Sequence, residues 1–187
     1  MSLDDPFAVV TEKPYGDLPE WNLADLYPGQ DSPELQAALG RAEASSIAFA
    51  ERWKGKLGEI AGGPEAGTRL AEAVRDYEGL DDLLGRIMSF AGLLHAGNTI
   101  DPGISKFYGD VQEKITNAAT HLLFFTLELN RIDDAVLAVA MEDPALGHYR
   151  PWLEDIRKEK PHQLEDRVEE LFHEKSVTGV GAWNRLF

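Results

Sequence analysis

Between Asp101 and Asn130 the sequence reads DPGISKFYGDVQEKITNAATHLLFFTLELN, and this stretch limits the fold more than any other. Asp101 followed by Pro102 is a strong helix start, with an acceptor at the N-cap and then a proline whose missing N–H costs nothing there. Ile104, Phe107, Tyr108, Val111, Ile115, Ala118, Leu122, Phe125 and Leu129 follow at steps of three and four. That spacing places them on one side of a helix. Lys106, Asp110, Glu113, Lys114 and Asn117 fall on the other side, where water can reach them. Leu122 to Phe125 are apolar all round, so that part is expected to be buried on more than one side. A helix of roughly 28 residues would be about 42 Å long. The stretch predicts the spine of an all-α domain.

The rest of the chain agrees with that class. Ser32-Pro33 opens a helix with Leu35, Ala38, Leu39, Ala42, Ser46, Phe49 and Trp53 on one face, ending near Gly55 to Gly58. After Gly62-Gly63-Pro64, a second helical region runs through Leu70, Val74 and Tyr77 into Leu80, Leu84, Ile87, Ala91 and Leu94. Gly79, Gly85 and Gly92 interrupt it, each costing about 1 kcal/mol against alanine in a helix interior. A break near Gly79 is expected, with close helix packing at Gly85 and Gly92. The short link His95 to Thr99 makes the segments at about 80–97 and 102–129 an antiparallel hairpin. Shorter helices follow: one capped at Asp133 or Asp134, a turn opened by Asp143-Pro144, one from Tyr149 to about Lys158, and one from Gln163 to Lys175. No segment alternates as a strand would.

At the other end, residues 1–20 carry Pro6, Pro14, Gly16 and Pro19 without helical period. They read as an extended N-terminal arm. WNLADLYPG, Trp21 to Gly29, then looks like one capped turn with Asn22 as N-cap, its aromatics pinning the arm to the body. The three parts are thus an arm (1–20), a helical domain (21–160) and the start of a junction (161–187).

Function classes narrow on charge and composition. With 33 acidic residues against 18 basic the formal net charge is −15, which repels phosphate backbones and anionic membranes and so argues against nucleic-acid and membrane partners. There is no cysteine, hence no disulfide and no thiolate metal site; a cytoplasmic setting fits. No apolar run approaches the length of a membrane span, and the chain reads as soluble.

The chemistry-bearing residues form no active site by themselves. A zinc helix of the H-E-x-x-H kind needs two imidazoles one turn apart. His173-Glu174 continues as Lys175-Ser176-Val177, without the second histidine, and so reads as a solvated helix end. His121 reads as a hydrogen-bonded core or boundary histidine. Glycine-rich pieces match no phosphate-binding loop, and the acidic pairs Asp81-Asp82, Asp133-Asp134 and Glu169-Glu170 read as caps and solvated faces. Catalytic residues: none; metal ligands: none.

From Tyr149 onward the sequence becomes more specific. Leu153-Glu154 with Ile156-Arg157, Lys160-Pro161-His162-Gln163-Leu164, Glu170 and Ala182-Trp183-Asn184-Arg185-Leu186-Phe187 occur in order, after Trp21-Asn22-Leu23 with Asp25-Leu26-Tyr27, Ser89-Phe90-Ala91 with Asp101, and Phe124-Phe125 with Glu128-Leu129. This set, spanning roughly Leu18 to Phe187, resembles the oligoendopeptidase F branch of the thimet-oligopeptidase-like zinc metallopeptidases. The matching part is their N-terminal helical domain and its link to the catalytic domain. The resemblance implies a parent that hydrolyses oligopeptides with zinc held by an H-E-x-x-H helix and a later glutamate. None of those positions lies in this chain, which would need no cofactor of its own. Its partners would be the C-terminal catalytic domain of the same polypeptide and, in the parent, an oligopeptide substrate. Its role would be a channel wall that excludes folded proteins. Arg157, His162 and Trp183 are the interdomain candidates; Arg157 and His162 could instead satisfy local helix ends, and Trp183 could pack in a core. The Leu-Phe ending looks like a cut in a longer chain, so exposed apolar patches and self-association are expected. The alternative is a free-standing acidic all-helical interaction module.

Overall fold

A computed structural model describes residues 21–186, with side chains through Asn184. The expected arm at 1–20 lies outside the described residues. Helices α1 (Pro33–Trp53), α2 (Leu57–Ala61), α3 (Ala66–Gly97), α4 (Pro102–Thr120), α5 (Leu123–Arg131), α6 (Asp134–Ala140), α7 (Pro144–Gly147), α8 (Arg150–Ile156), α9 (Asp166–Thr178) and α10 (Val180–Leu186) follow one another, with 3-10 turns at Leu23–Asp25 and Arg157–His162. No strand occurs among the described residues. The fold is all-α.

The start signals work as the sequence predicts. Ser32 Oγ accepts from Leu35 N at 3.2 Å, and Asp101 Oδ1 accepts from Gly103 N and Ile104 N at 2.7 and 3.0 Å. Asp133 and Asp143 cap α6 and α7 in the same manner. Every apolar-face residue expected on α1, Ser46 included, is buried. That face lies against α3 and α4, which also lie against each other, so these three helices enclose the main core.

The long helix is α3. It runs through Gly79 without the expected break, because Leu70 and Val74 before the glycine and Leu80, Leu84 and Ile87 after it all enter the core. Each such side chain contributes about 1.5–3 kcal/mol on burial, which outweighs the roughly 1 kcal/mol cost of the glycine. Gly85 is not a close-packing site, since a Cβ there would meet nothing within 4 Å, and at Gly92 it would only touch Tyr108 at 4.0 Å. The tight glycine is Gly67. A Cβ on it would lie 2.2 Å from Asp143 Cβ and 2.5 Å from the Ala140 carbonyl, so the start of α3 and the α6–α7 turn meet backbone to backbone.

The expected spine at 102–129 is two helices, α4 and α5, and the helix before it begins at residue 66 rather than about 80. At the end of α4 the His121 and Leu122 amides bond the Ala118 and Ala119 carbonyls, tightening the last turn to 3-10 geometry. Thr120 Oγ1 also bonds the Thr116 carbonyl at 3.0 Å, a contact that favours bending. The bend lets Phe124 and Phe125 both reach Phe49, at ring separations of 5.7 and 5.2 Å. His121, the C-cap of α4, is exposed, not a core histidine.

At the N-terminal end Asn22 caps the first turn. Tyr27, 6% exposed, packs edge-on against Phe90, and Arg86 lies over its ring while donating to the Asp25 and Leu26 carbonyls. Trp21, by contrast, is 84% exposed. Of the two aromatics expected as anchors, Tyr27 packs on the body, beside Leu23 and Leu26, and Trp21 does not.

Candidate functional site

The region that holds Arg157, His162 and Trp183 begins where α5 ends. The last carbonyls of a helix lack intrahelical donors, and Arg157 supplies them: Nη1 donates to the Leu129 carbonyl at 3.0 Å and Nη2 to that of Ile132 at 2.7 Å. Nη2 also pairs with Asp134 at the start of α6, and Lys160 Nζ reaches the same carboxylate at 3.1 Å. One cation thus closes α5 and fixes the bend into α6. The Arg157 side chain is 14% exposed while Asp134 is 77% exposed, so the pair sits at the rim of the packed region. The Arg157 hydrogen bond, and then that of Lys160, holds the Asp134 carboxyl below the ordinary carboxylate range.

Of the two roles open to Arg157 in the sequence, its contacts here are those of a local helix end. His162 is exposed on the final turn of the same 3-10 segment, and Trp183 is 61% exposed on α10, outside any core. Among the described residues, no hydrogen bond, ion pair or ring contact links the three. They share a region, not a site.

Other side chains, none of them among the interdomain candidates, hold this region to the body. Asn130 Nδ2 donates to the Ile156 carbonyl at 3.1 Å, and Gln163 Nε2 donates to that of Leu127 at 3.1 Å. Arg131 pairs with Asp166 in the first turn of α9; that hydrogen bond holds the Asp166 carboxyl low and raises the Arg131 guanidinium. Glu169 turns back to accept from Leu164 N at 2.8 Å. The local signal was an acid in the first turn of a helix, but its partner is 35 residues away in sequence.

Helix α9 lies against α4 and α5, is tied to α5 by the Arg131–Asp166 pair, and contains no buried residue. Leu171 and Phe172 on α9 and Leu164 just before it are 51%, 62% and 48% exposed, while Val168 and Val177 are half-buried. Val180 and Trp183 on α10, which packs on α9, are exposed as well. Gly179 and Gly181 permit the sharp turn between them, since a Cβ at either would approach the Lys175 or Ser176 carbonyl to 2.8 or 3.0 Å. His173 is half-buried, its Nε2 shielded and without a hydrogen-bond partner, which differs from the solvated helix end expected.

No set of three or more His, Asp or Glu side chains among the described residues could hold a metal ion. An open groove of about 590 Å³ between the α2–α3 turn and α6 is lined by Ala61, Gly67, Val136, Val139 and Asp143. Its one carboxylate is occupied by Thr68 Oγ1 at 2.7 Å and Ala145 N at 2.8 Å. No helix among the described residues is long and apolar enough to cross a membrane.

Residues 128–187 match the N-terminal peptidase family model described as Oligopeptidase F. Those residues are the segment running from the end of α5 through α10. The chain is also 26% identical over 161 residues to oligopeptidase PepF of Bacillus subtilis (strain 168), an alignment covering 83% of this chain and 22% of that relative. The chain thus spans under a quarter of the relative's length. No solved structure matches it significantly. The two likenesses, one along most of the chain and one confined to the helices around Arg157, support an oligoendopeptidase F-like N-terminal domain.

Proposed function

We propose that this chain is the substrate-excluding wall of a zinc metalloendopeptidase that hydrolyses oligopeptides, with residues 21–160 as the helical body and 161–187 as the start of the junction to a catalytic domain. The observation that carries the reading is the family match over residues 128–187, which falls on α5 to α10 and includes Arg157, His162 and Trp183. The relative's name and its much greater length support the same assignment. Zinc and the base beside it would be supplied by the catalytic domain, as the family resemblance implies. What this chain contributes is shape: a rigid all-helical body with an acidic surface. A chain without cysteine suits a cytoplasmic enzyme.

The test is to express the polypeptide encoded by the native reading frame and offer it short quenched peptides and a folded protein of the same cleavage sequence. Cleavage of the peptides alone, abolished by a chelator, is the expected result. Equal cleavage of the folded protein overturns the wall. A frame that stops at Phe187, with no peptide hydrolysis, overturns the enzyme and leaves the helical interaction module.

A further inference from the structure

We propose that the open groove at the tip of the α3–α4 hairpin is the seat of this chain's own N-terminal arm, which lays Phe7, Val9 and Val10 into it. The inference stands apart from the enzyme reading, because the groove lies outside residues 128–187 and so away from the junction.

The groove begins where the arm ends. Trp21, the residue that follows the arm, forms one wall, with Leu23, Leu93, Leu94 and Ile104 around a volume of about 570 Å³. Trp21 is 84% exposed and Leu93 42%, and Ile100 on the link to α4 is 92% exposed. A cluster of exposed apolar side chains marks a contact surface. None of the residues lining this one carries a charge. The groove also borders open acceptors. Asn98, the C-cap of α3, donates to the His95 carbonyl, and among the described residues no donor reaches the carbonyls of Ala96 and Gly97. An occupant suited to it therefore brings backbone N–H groups as well as apolar side chains.

The chain outside the described residues supplies such an occupant. Twenty residues precede Trp21, and their one apolar run is Phe7-Ala8-Val9-Val10, uncharged and with an N–H on every residue. Asp4 and Asp5 before it and Glu12 and Lys13 after it limit the insert to a few residues, which suits a groove of this size. Residues 11–20 connect the run to the groove wall, a coil of about 17 Å in mean span. The run is thus offered to the groove at an effective concentration on the order of millimolar. A second copy arriving from solution has no such tether, and both copies carry a net charge of −15.

A spin label tests this in the 187-residue chain. The chain has no cysteine, so Ala8→Cys carries a nitroxide at one place only. The amides of Leu93, Leu94, Asn98 and Ile104 should lose most of their NMR intensity, while those of Gly67 and Val139, at the groove beside α6, keep theirs. Phe7→Asp with Val9→Asp should abolish that loss and speed hydroxyl-radical oxidation of Trp21 several-fold, with the core amides of Leu70 and Ile87 unshifted. Intensity lost evenly over the surface, or centred on Val139, overturns the proposal. Intensity lost at Leu93 in unlabelled chain mixed with nitroxide-bearing chain assigns the groove to a second copy and overturns the arm as occupant. In the polypeptide of the native reading frame, protection of Trp21 that survives Phe7→Asp with Val9→Asp assigns the groove to the rest of that polypeptide and overturns it too. Peptide cleavage is a separate readout, so either reading can fail without the other.

Discussion

Trp53 donates its indole N–H to the Asp76 carboxylate at 3.1 Å, from a side chain only 3% exposed. The same carboxylate oxygen accepts Arg52 Nη1 at 2.8 Å, and the Arg52 guanidinium lies over the Trp53 ring, 4.5 Å from its centre. The pair fastens the last turn of α1 to the middle of α3. Removing the acceptor leaves a buried donor unsatisfied, which costs about 1–3 kcal/mol. Urea denaturation should therefore rank wild type above Asp76→Asn, whose amide oxygen still accepts, and Asp76→Asn above Asp76→Ala. Equal midpoints for all three would mean that the indole finds another partner.

Gly67 and Gly79 lie on one helix and should respond to alanine in opposite directions. At Gly67 the new methyl meets the Ala140 carbonyl and Asp143 Cβ, neither the free end of a flexible side chain, so overpacking should cost about 1–3 kcal/mol. At Gly79 nothing lies within 4 Å, and Gly79→Ala should stabilise by about 0.5–1 kcal/mol through helix propensity. Thermal melts of the two single variants check both signs.

Glu128 caps α2 from a distant part of the chain. Its Oε1 accepts from Gly55 N at 2.7 Å and its Oε2 from Leu57 N at 3.4 Å. Gly55 has φ +78°, and the α2 N-cap Lys56 makes no side-chain cap of its own. Glu128→Ala should cost about 1 kcal/mol, the usual loss for a helix cap. Amide exchange should accelerate first at Gly55 and Leu57. A uniform acceleration across α1 and α3 instead would show that the contact supports the whole fold rather than the turn.

Acid should weaken the α5–α6–α9 corner. The Asp134 and Asp166 carboxyls are both held low, first by hydrogen bonds from Arg157 and Arg131 respectively. In the unfolded chain each titrates near about 3.9. Between the lowered folded values and that unfolded value the native state binds fewer protons, so stability falls as protons are added. The contribution is fully present above the unfolded value and is lost as pH falls through the folded ones. Asp134→Asn with Asp166→Asn should thus be less stable than wild type at about pH 6, by a gap that narrows as pH falls below about 4. A gap that stays constant as pH falls would remove the ion pairs as the cause.

Local chemistry was legible in the sequence. The caps at Asn22, Ser32 and Asp101 and the whole buried face of α1 follow from residue type and spacing alone, whereas residue type left Asp133 and Asp134 equal as the cap of α6 and marked Asp143 only as opening a turn. The bend at His121 was not, because it depends on where Phe49 sits when Phe124 and Phe125 arrive. The same is true of Gly79: the local cost was visible, but the burial that exceeds it belongs to helices on the far side of the core. Arg157 was singled out through its place in a family pattern, yet its partners at Leu129, Ile132 and Asp134 lie well upstream and only the fold brings them within reach. Trp21 and Tyr27 looked alike on so short an element, and only Arg86 and Phe90 distinguish them.

Helix α3 touches α1 and α4 as well as α2, α6, α7 and the first 3-10 turn. The neighbours that cover it are drawn from both sides of its own sequence. No segment ending before about residue 147 can finish its coating, and none beginning after residue 66 includes α1 or α2. A ribosome releasing this chain therefore exposes a long half-greasy rod until α7 emerges. Folding is expected to wait for that moment and then to proceed in one step, with Leu70 near one end of the rod and Ile87 toward the other becoming protected together.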